Sequence, residues 1–410
     1  MGFQTGLSGL STASRNLDVI GNNVANASVV GFKQSSAQFA DVFAASSSNN
    51  QVGIGAKVQS IAQQFNQGNI TPTSNPLDFA IAGRGFFRLS DNGEIAYSRN
   101  GQFRLDNEGY IVNAEGLNLT GYGIDANGNI VNSSPEPLQF DTADLPPQET
   151  SRLDARVNLN SEETAIGGGV TFDPTNVSTY HYSTSATVFD SLGSSQVITM
   201  YFVKTAANAW DMYANATAAG TTTTVDLGNG AGAAVPLAFD SNGQLTTTMP
   251  LTATVTVSTG ATDPLVFPFD LTGSTQFESA SGINSLFQDG YTSGRLTGFN
   301  VTGDGTIKGR YNNGQSRNLG QVVLADFVNT QGLGPLGNNL WQETVASGLP
   351  LVGVPSSGTL GSLQSGAVED SNVELTSELV AMIVAQRVYQ ANAQTIKTQD
   401  AVLQTLVNLR

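Results

Sequence analysis

From Phe3 to Val24 the apolar side chains fall at Phe3, Leu7, Leu10, Ala13, Leu17, Ile20 and Val24, a spacing of threes and fours that predicts an amphipathic helix. Phe3, Leu10, Leu17 and Val24 also lie on a strict seven-residue repeat, the signature of a coiled-coil seam. The opposite end repeats the device: Leu375, Met382, Tyr389, Ile396 and Leu403 recur every seven positions, with Leu379, Ala393 and Leu406 between them. Asp370, Ser371 or Asn372 is placed to cap this second helix, with Glu374 in its first turn.

Between the two helices the period changes from seven to two. Residues 85–122 alternate apolar and polar positions around Asn92-Gly93, Asn100-Gly101 and Glu108-Gly109, dipeptides that predict hairpin turns. The same grammar returns at 295–328, with Asp304-Gly305 and Asn313-Gly314 as turns and "QVVLADFV" as a strand. The proline-marked stretch 133–149 reads as a linker and candidate hinge. Leu153, Ala155, Val157 and Leu159 then alternate into a further β region, where 197–204 and 209–214 are strands and the low-complexity stretch 216–235 is an exposed loop or hairpin tip.

The layout is palindromic and predicts a multidomain α+β chain. Terminal heptad α-helices form a coiled-coil-like inner layer, and nested, mostly antiparallel β domains lie outward. The expected boundaries are 1–28 and 370–410 for the helical part, and 29–75 and 360–369 for extended connecting chain. An inner β domain covers 76–145 and 287–359, and an inserted outer β domain covers 146–286. A length of 410 residues agrees with two or three domains.

Composition narrows the function. Charged residues make up 12 %, about half the usual share, and 45 glycines with abundant Ser, Thr, Asn and Gln fill the gap. The net charge of −16, with 17 basic residues in all, argues against a nucleic-acid partner, which needs a basic face. Residues 1–70 carry a net +1 and residues 366–410 a net −2, so the middle holds −15. No cysteine is available for disulfides, thiolate chemistry or Cys-ligated zinc. The first cation is Arg15, and the apolar run Leu379 to Ala385 is too short to cross a bilayer. Neither a general secretory signal nor membrane insertion is expected.

Catalytic candidates are few. The single histidine, His181, is expected to be a satisfied β-region residue, and any serine triad would have to use it. Gly332, Gly334 and Gly337 satisfy G-x-G-x-x-G, but Pro335 interrupts the loop and no acid follows at the required distance, so a plain loop is expected. Carboxylates are numerous enough for a glycosidase pair, yet Asp91, Asp106 and Asp304 sit where turn capping explains them. No enzymatic activity, cofactor or metal is expected. The competing class is a secreted β-rich adhesin or glycosidase, which would act as a monomer.

The end helices could simply pair as an antiparallel hairpin. Six buried apolar side chains in the N-terminal one would offset only part of the entropy of ordering about two dozen residues. Gly21 and the asparagines weaken it further, so it needs neighbours. Asn22 and Asn26 lie opposite the Leu17/Ile20/Val24 stripe, and Asn23 flanks it. Amides donate and accept, so these three are expected to pair with the same amides of identical copies.

"SGLSTASRNLDVIGNNVANASVVGFK", "LDFAIAGRGFFRL", "YSRNGQFRLDNEGYIVNAEGLNLTGY", "GLGPLGNNLWQETVASG" and the segment from Val368 to Arg410 resemble the rod and hook axial proteins of the bacterial flagellum. The inserted block 150–286 favours the hook branch over the shorter distal rod proteins. Val29 stands where the family often carries Thr or Ser. The resemblance implies a structural subunit that self-assembles into a curved hollow tube outside the cell. That tube links rod to filament and transmits torque as a flexible universal joint. It also implies export without a cleaved signal peptide, through the flagellar type III apparatus, and partners in the rod, hook cap and hook–filament junction proteins. The heptad residues at both ends would make the self-assembly surface, with Gly31 and Phe32 forming the turn after the first helix.

Overall fold

The computed structural model describes residues 2–43, 53–91, 93–125, 128–140, 143–167, 170–218 and 220–408. Two α-helices stand at the ends, α1 (Gly2–Ala25) and α2 (Leu375–Asn408), and strands occupy most of what lies between. The α+β reading with antiparallel sheets is correct. The chain divides into two compact units, one of residues 1–142, 298–310 and 316–410, the other of 143–297 and 311–315.

The first unit contains both helices. After α1 the chain forms an antiparallel ribbon, Ser35–Phe43 with Gly53–Gln63, where the sequence predicted only extended connecting chain. Short pairings tie the return path to the outgoing one: Ser362–Ser365 with Phe79–Ala82, and Ala367–Glu369 with Ile70–Pro72. The main sheet runs, in spatial order, Leu296–Val301, Thr306–Tyr311, Ser316–Val322, Asn118–Tyr122, Phe86–Asp91, Glu94–Ser98, Leu340–Gln342 and Gly334–Gly337. An aromatic cluster of Phe86, Tyr97, Phe327 and Trp341 packs edge-to-face against it, with ring centroids 4.8–6.0 Å apart.

The second unit is built from two five-stranded sheets around one apolar core. Tyr182–Phe189, Ser195–Ala206 and Ala209–Ala218 form a continuous antiparallel meander. They contribute Val188, Met200, Phe202, Trp210 and Met212 to the core, while the other sheet contributes Leu153, Val157, Leu159, Phe267 and Phe269. The buried Trp210 indole donates to Gln276 Oε1 at 2.8 Å, so its one polar atom is satisfied.

One turn recurs in both units. At Asp106, Asn113, Asp190 and Asp240 the side-chain Oδ1 accepts the N–H groups two and four residues on. Each time the backbone carbonyl accepts the N–H of a glycine three residues on, and that glycine has φ between +74° and +89°. Asp125 and Gly128 repeat the pattern. The motif Asp/Asn-x-x-Gly closes a hairpin because the short side chain caps the turn and only glycine accepts the left-handed residue cheaply.

Three sequence expectations fail here, and a fourth holds in one of its two forms. Asn100-Gly101 is no hairpin turn: a Cβ on Gly101 would lie 1.7 Å from the Phe79 carbonyl oxygen, and the Gly101 carbonyl accepts the Phe79 N–H at 2.8 Å. The glycine is there for close backbone approach. Residues 133–149 are not a free linker, because Glu136–Pro137 pairs with Thr120 and Gly121, and Leu138 and Phe140 are buried. Of the two readings of 216–235, the hairpin is the one found, Thr221–Thr224 pairing back on Asn215–Ala218, while Val225 and Leu227 beyond it enter the core. Asp370, Ser371 and Asn372 precede α2 without capping it; Glu374 immediately precedes the helix, and its carbonyl accepts the Glu378 N–H at 3.0 Å. Asn92 lies outside the described residues, as does the side chain of Leu406.

Gly101→Ala is expected to lose about 3 kcal/mol of stability or more, because backbone must move to admit the methyl group. Gly116→Ala, at φ +89° with open space around it, should lose about 1 kcal/mol. Equilibrium urea unfolding of the two variants checks the contrast.

Candidate functional site

The two helices pack antiparallel, since Gly6 faces Ile396 while Gly9 faces Asn392. Small residues make that seam. A Cβ on Gly6 would lie 3.0 Å from Ile396 Cγ1, and one on Gly9 would lie 2.5 Å from Asn392 Oδ1. Ala13 and Ala385 are buried. The large side chains of the predicted stripes are mostly elsewhere. Ile20 is buried; Leu10, Leu17, Val24, Met382 and Ile396 are half-buried; Phe3, Leu7, Leu375, Leu379, Tyr389 and Leu403 are exposed. Val380, Ile383, Val384 and Val388 add to the uncovered apolar face of α2.

Asn23 corrects the self-pairing expectation. It is buried within its own chain, donating from Nδ2 to the Ser35 carbonyl at 2.8 Å and accepting the Ser35 N–H on Oδ1 at 2.9 Å. The amide pairs with the first ribbon residue as a neighbouring strand would, which requires one donor and one acceptor on one side chain. Asn26 donates to the Asn22 carbonyl at 2.9 Å, so it satisfies the end of α1. The Asn23 amide is thus spent inside the chain on both its donor and its acceptor.

Beneath the helices lies a constellation that the heptad reading missed. Glu369, fully buried, accepts from Lys33 Nζ at 2.7 Å, Arg99 Nη1 at 3.0 Å and the Gly68 N–H at 2.8 Å. Lys33 also donates to the Asn66 carbonyl and Arg99 to the Gly83 carbonyl, both at 2.8 Å. The guanidinium lies 5.4 Å from the Phe86 ring centroid. Burial pushes the Lys33 ammonium below its ordinary pKa, and the Glu369 carboxylate beside it opposes that shift. Burial likewise lowers Arg99. No local sequence signal marks the three: Glu369 adjoins Asp370, and Arg99 lies among other charges from Arg84 to Glu108.

Gly31 belongs to the same junction. Its φ is +73°, its N–H donates to the Glu369 carbonyl at 2.8 Å, and a Cβ there would lie 2.5 Å from the Asn100 nitrogen. Phe32 is half-buried and lines a groove with Asn22, Asn26 and Trp341. Asn372 accepts the Gln34 N–H at 2.8 Å and donates to the Gln64 carbonyl at 2.7 Å, which explains an amide just ahead of α2. The start of the ribbon, its end and the entry to α2 are thus held at one place.

Neither the single histidine nor the glycine-rich loop takes the geometry that its catalytic reading needs. His181 accepts the Lys204 N–H on Nδ1 at 3.0 Å and contacts the Thr164 carbonyl through Nε2 at 2.9 Å, so both ring nitrogens are engaged. Gly334–Gly337 is a strand where a dinucleotide loop would open a helix. Among the described residues no three His, Cys, Asp or Glu side chains gather as metal ligands.

Comparison with known proteins decides the family. The chain is 42 % identical to the flagellar hook protein FlgE of Escherichia coli K12 over the full length of both. The chain belongs to the flagellar hook protein family. Identity is also 42 %, again at full coverage, to the hook protein of Salmonella typhimurium LT2, and 32 % to that of Rhizobium meliloti, covering 98 % of that chain. Family models match by region: "Flagella basal body rod protein" over 3–33, "Flagellar hook protein FlgE/F/G D1 domain" over 80–167, "Flagellar basal body protein FlaE D2 domain" over 152–291 and "Flagellar basal body rod FlgEFG protein C-terminal" over 364–409. A crystal structure of the Helicobacter pylori flagellar hook protein FlgE2 shares the fold at TM-score 0.54 and 13 % identity, covering 73 % of this chain and all of that one. The hook family's rod-type matches end at 33 and begin again at 364, so they enclose Lys33 and Glu369 of the buried junction.

Glu369→Gln should destabilise the first unit by about 3–5 kcal/mol, because two buried cations lose their counter-charge. The exposed Glu115→Gln should change stability by less than about 0.5 kcal/mol. Asn23→Asp is expected to detach the ribbon from α1 by losing the donor to Ser35, seen as faster amide exchange at residues 35–40. Unchanged protection there would refute the internal role given to Asn23.

Proposed function

We propose that this chain works as a self-assembling subunit of the flagellar hook, polymerising through the uncovered apolar faces of its terminal helices. A member of the hook protein family is a structural component of the bacterial flagellum, and its place is the hook. The observation that carries the assembly reading is the division of labour on α1 and α2. Gly6, Gly9, Ala13 and Ala385 close the helix pair within the chain. Phe3, Leu7, Val384 and Val388 remain 48 %, 53 %, 54 % and 46 % exposed. Large apolar side chains left exposed on both helices of one pair mark an interaction surface, and the heptad spacing of Leu375, Met382, Tyr389, Ile396 and Leu403 fits knobs-into-holes packing with further helices.

Identical copies are the fitting occupant. The α2 face carries few charges, so copies would meet without burying like charges against one another. A repeated heterologous contact between copies builds a helical tube. In this reading the helices form the inner wall of a curved hollow tube that transmits torque as a universal joint. The acidic, Gly- and Thr-rich remainder supplies outer contacts that slide. Rod, hook cap, hook–filament junction proteins and the flagellar export apparatus are the proposed partners, and export proceeds without a cleaved signal peptide. The distal rod alternative is weaker, because full-length relatives carry the hook name and 152–291 matches the D2 family model.

Val384→Asp places a charge in the centre of that face. The variant should remain folded by circular dichroism and monodisperse by sedimentation. It should yield no tubes under conditions where the unaltered chain gives hollow curved ones by electron microscopy. Normal tubes from Val384→Asp would remove the helical-face assignment.

A further inference from the structure

The main sheet of the first unit carries opposite charge at its two ends. At one end the strand Gly334–Gly337 and the hairpin Phe86–Ser98 border a groove of about 650 Å³. Its lining mixes apolar residues, Leu117 and Leu336 among them, with the acidic Asp91, Glu94, Glu115 and Glu343. Towards the other end of the same sheet, next to the terminal strand Leu296–Val301, the hairpin Thr306–Val322 presents Lys308 and Arg310, both exposed, and the half-buried Arg317.

Among the described residues Glu94, Glu115, Glu343 and Lys308 form no ion pair within the chain. Glu343 only accepts the Tyr97 hydroxyl. Arg88, the cation nearest the acidic groove, donates to Thr120 Oγ1.

We infer that the acidic groove receives the Lys308/Arg310 edge of a second copy of this chain. Like charges forbid groove-to-groove and edge-to-edge association, so the contact is heterologous and propagates from copy to copy. It would operate in addition to the helical faces, and it rests on the reading that copies assemble. Being exposed, it is screened by salt, with a Debye length of about 10 Å at 0.1 M. A bond that salt loosens suits a layer that must shift while an apolar seam holds.

The chain has no cysteine, so single cysteines report unambiguously. Glu94→Cys and Lys308→Cys proteins are mixed at low salt and oxidised briefly. Mixed disulfide dimers should exceed either homodimer by about tenfold and fade as salt is raised. Homodimers in equal or greater amount, or no mixed dimer at all, would overturn the proposal. Adding Glu115→Lys and Glu343→Lys to the Glu94→Cys partner should abolish the mixed dimer, and Lys308→Cys/Arg310→Glu protein should restore it with that partner. Electron microscopy of unaltered chain run alongside separates the two readings: tubes without the mixed disulfide sink the groove contact alone, whereas absence of tubes counts against assembly itself.

Discussion

One buried carboxylate holds the first unit together. Glu369 neutralises Lys33 and Arg99 in a site shielded from water, and each of the three arrives on a different segment. Lys33 follows the turn after α1, Arg99 lies beyond a sheet strand, and Glu369 ends the short strand before α2. A charge desolvated this far is tolerated only with its partners in place. The chain must therefore bring both of its ends to the base of the sheet before the junction is stable. Gly31 and Gly68 complete it, donating backbone N–H groups to the same residue, one to its carbonyl and one to its carboxylate.

That junction lets the helices above it be weak. α1 carries Gly6, Gly9 and Gly21 in its interior, each costing helix stability relative to alanine. Two of those glycines permit the close approach to α2, so the same residues that soften the helix close the intrachain seam. The seam is narrow, and of the large apolar side chains Phe3, Leu7, Leu375, Leu379, Tyr389 and Leu403 are left exposed. A helix pair fixed at its base and unfinished along its length is suited to completion by other copies. The hook family assignment gives that incompleteness a purpose.

The asparagine cluster shows how an intrachain demand can mimic an intermolecular one. An amide on a weak helix fits either a copy's amide or a backbone segment of the same chain. Asn23 meets the backbone of Ser35, because the ribbon folds back along α1 and offers an unpaired strand end at the right height. The uncharged character of Asn23 therefore reflects burial against the ribbon.

What the sequence determined by itself was whatever depends on neighbours in the chain. Periods of seven and two placed the helices and many strands, and turn dipeptides such as Glu108-Gly109 and Asn313-Gly314 marked hairpins, because the residues that close such a turn are neighbours in the chain. The contacts decided by tertiary structure join distant positions: Lys33 and Glu369 stand 336 residues apart, and no local pattern links them. Gly101 looked like a turn residue until the Phe79 carbonyl was seen to pass over it. Which face of each helix is spent inside the chain was likewise invisible, since a heptad gives a stripe its period but not its partner. Local periodicity fixes conformation; long-range packing fixes which groups remain for others.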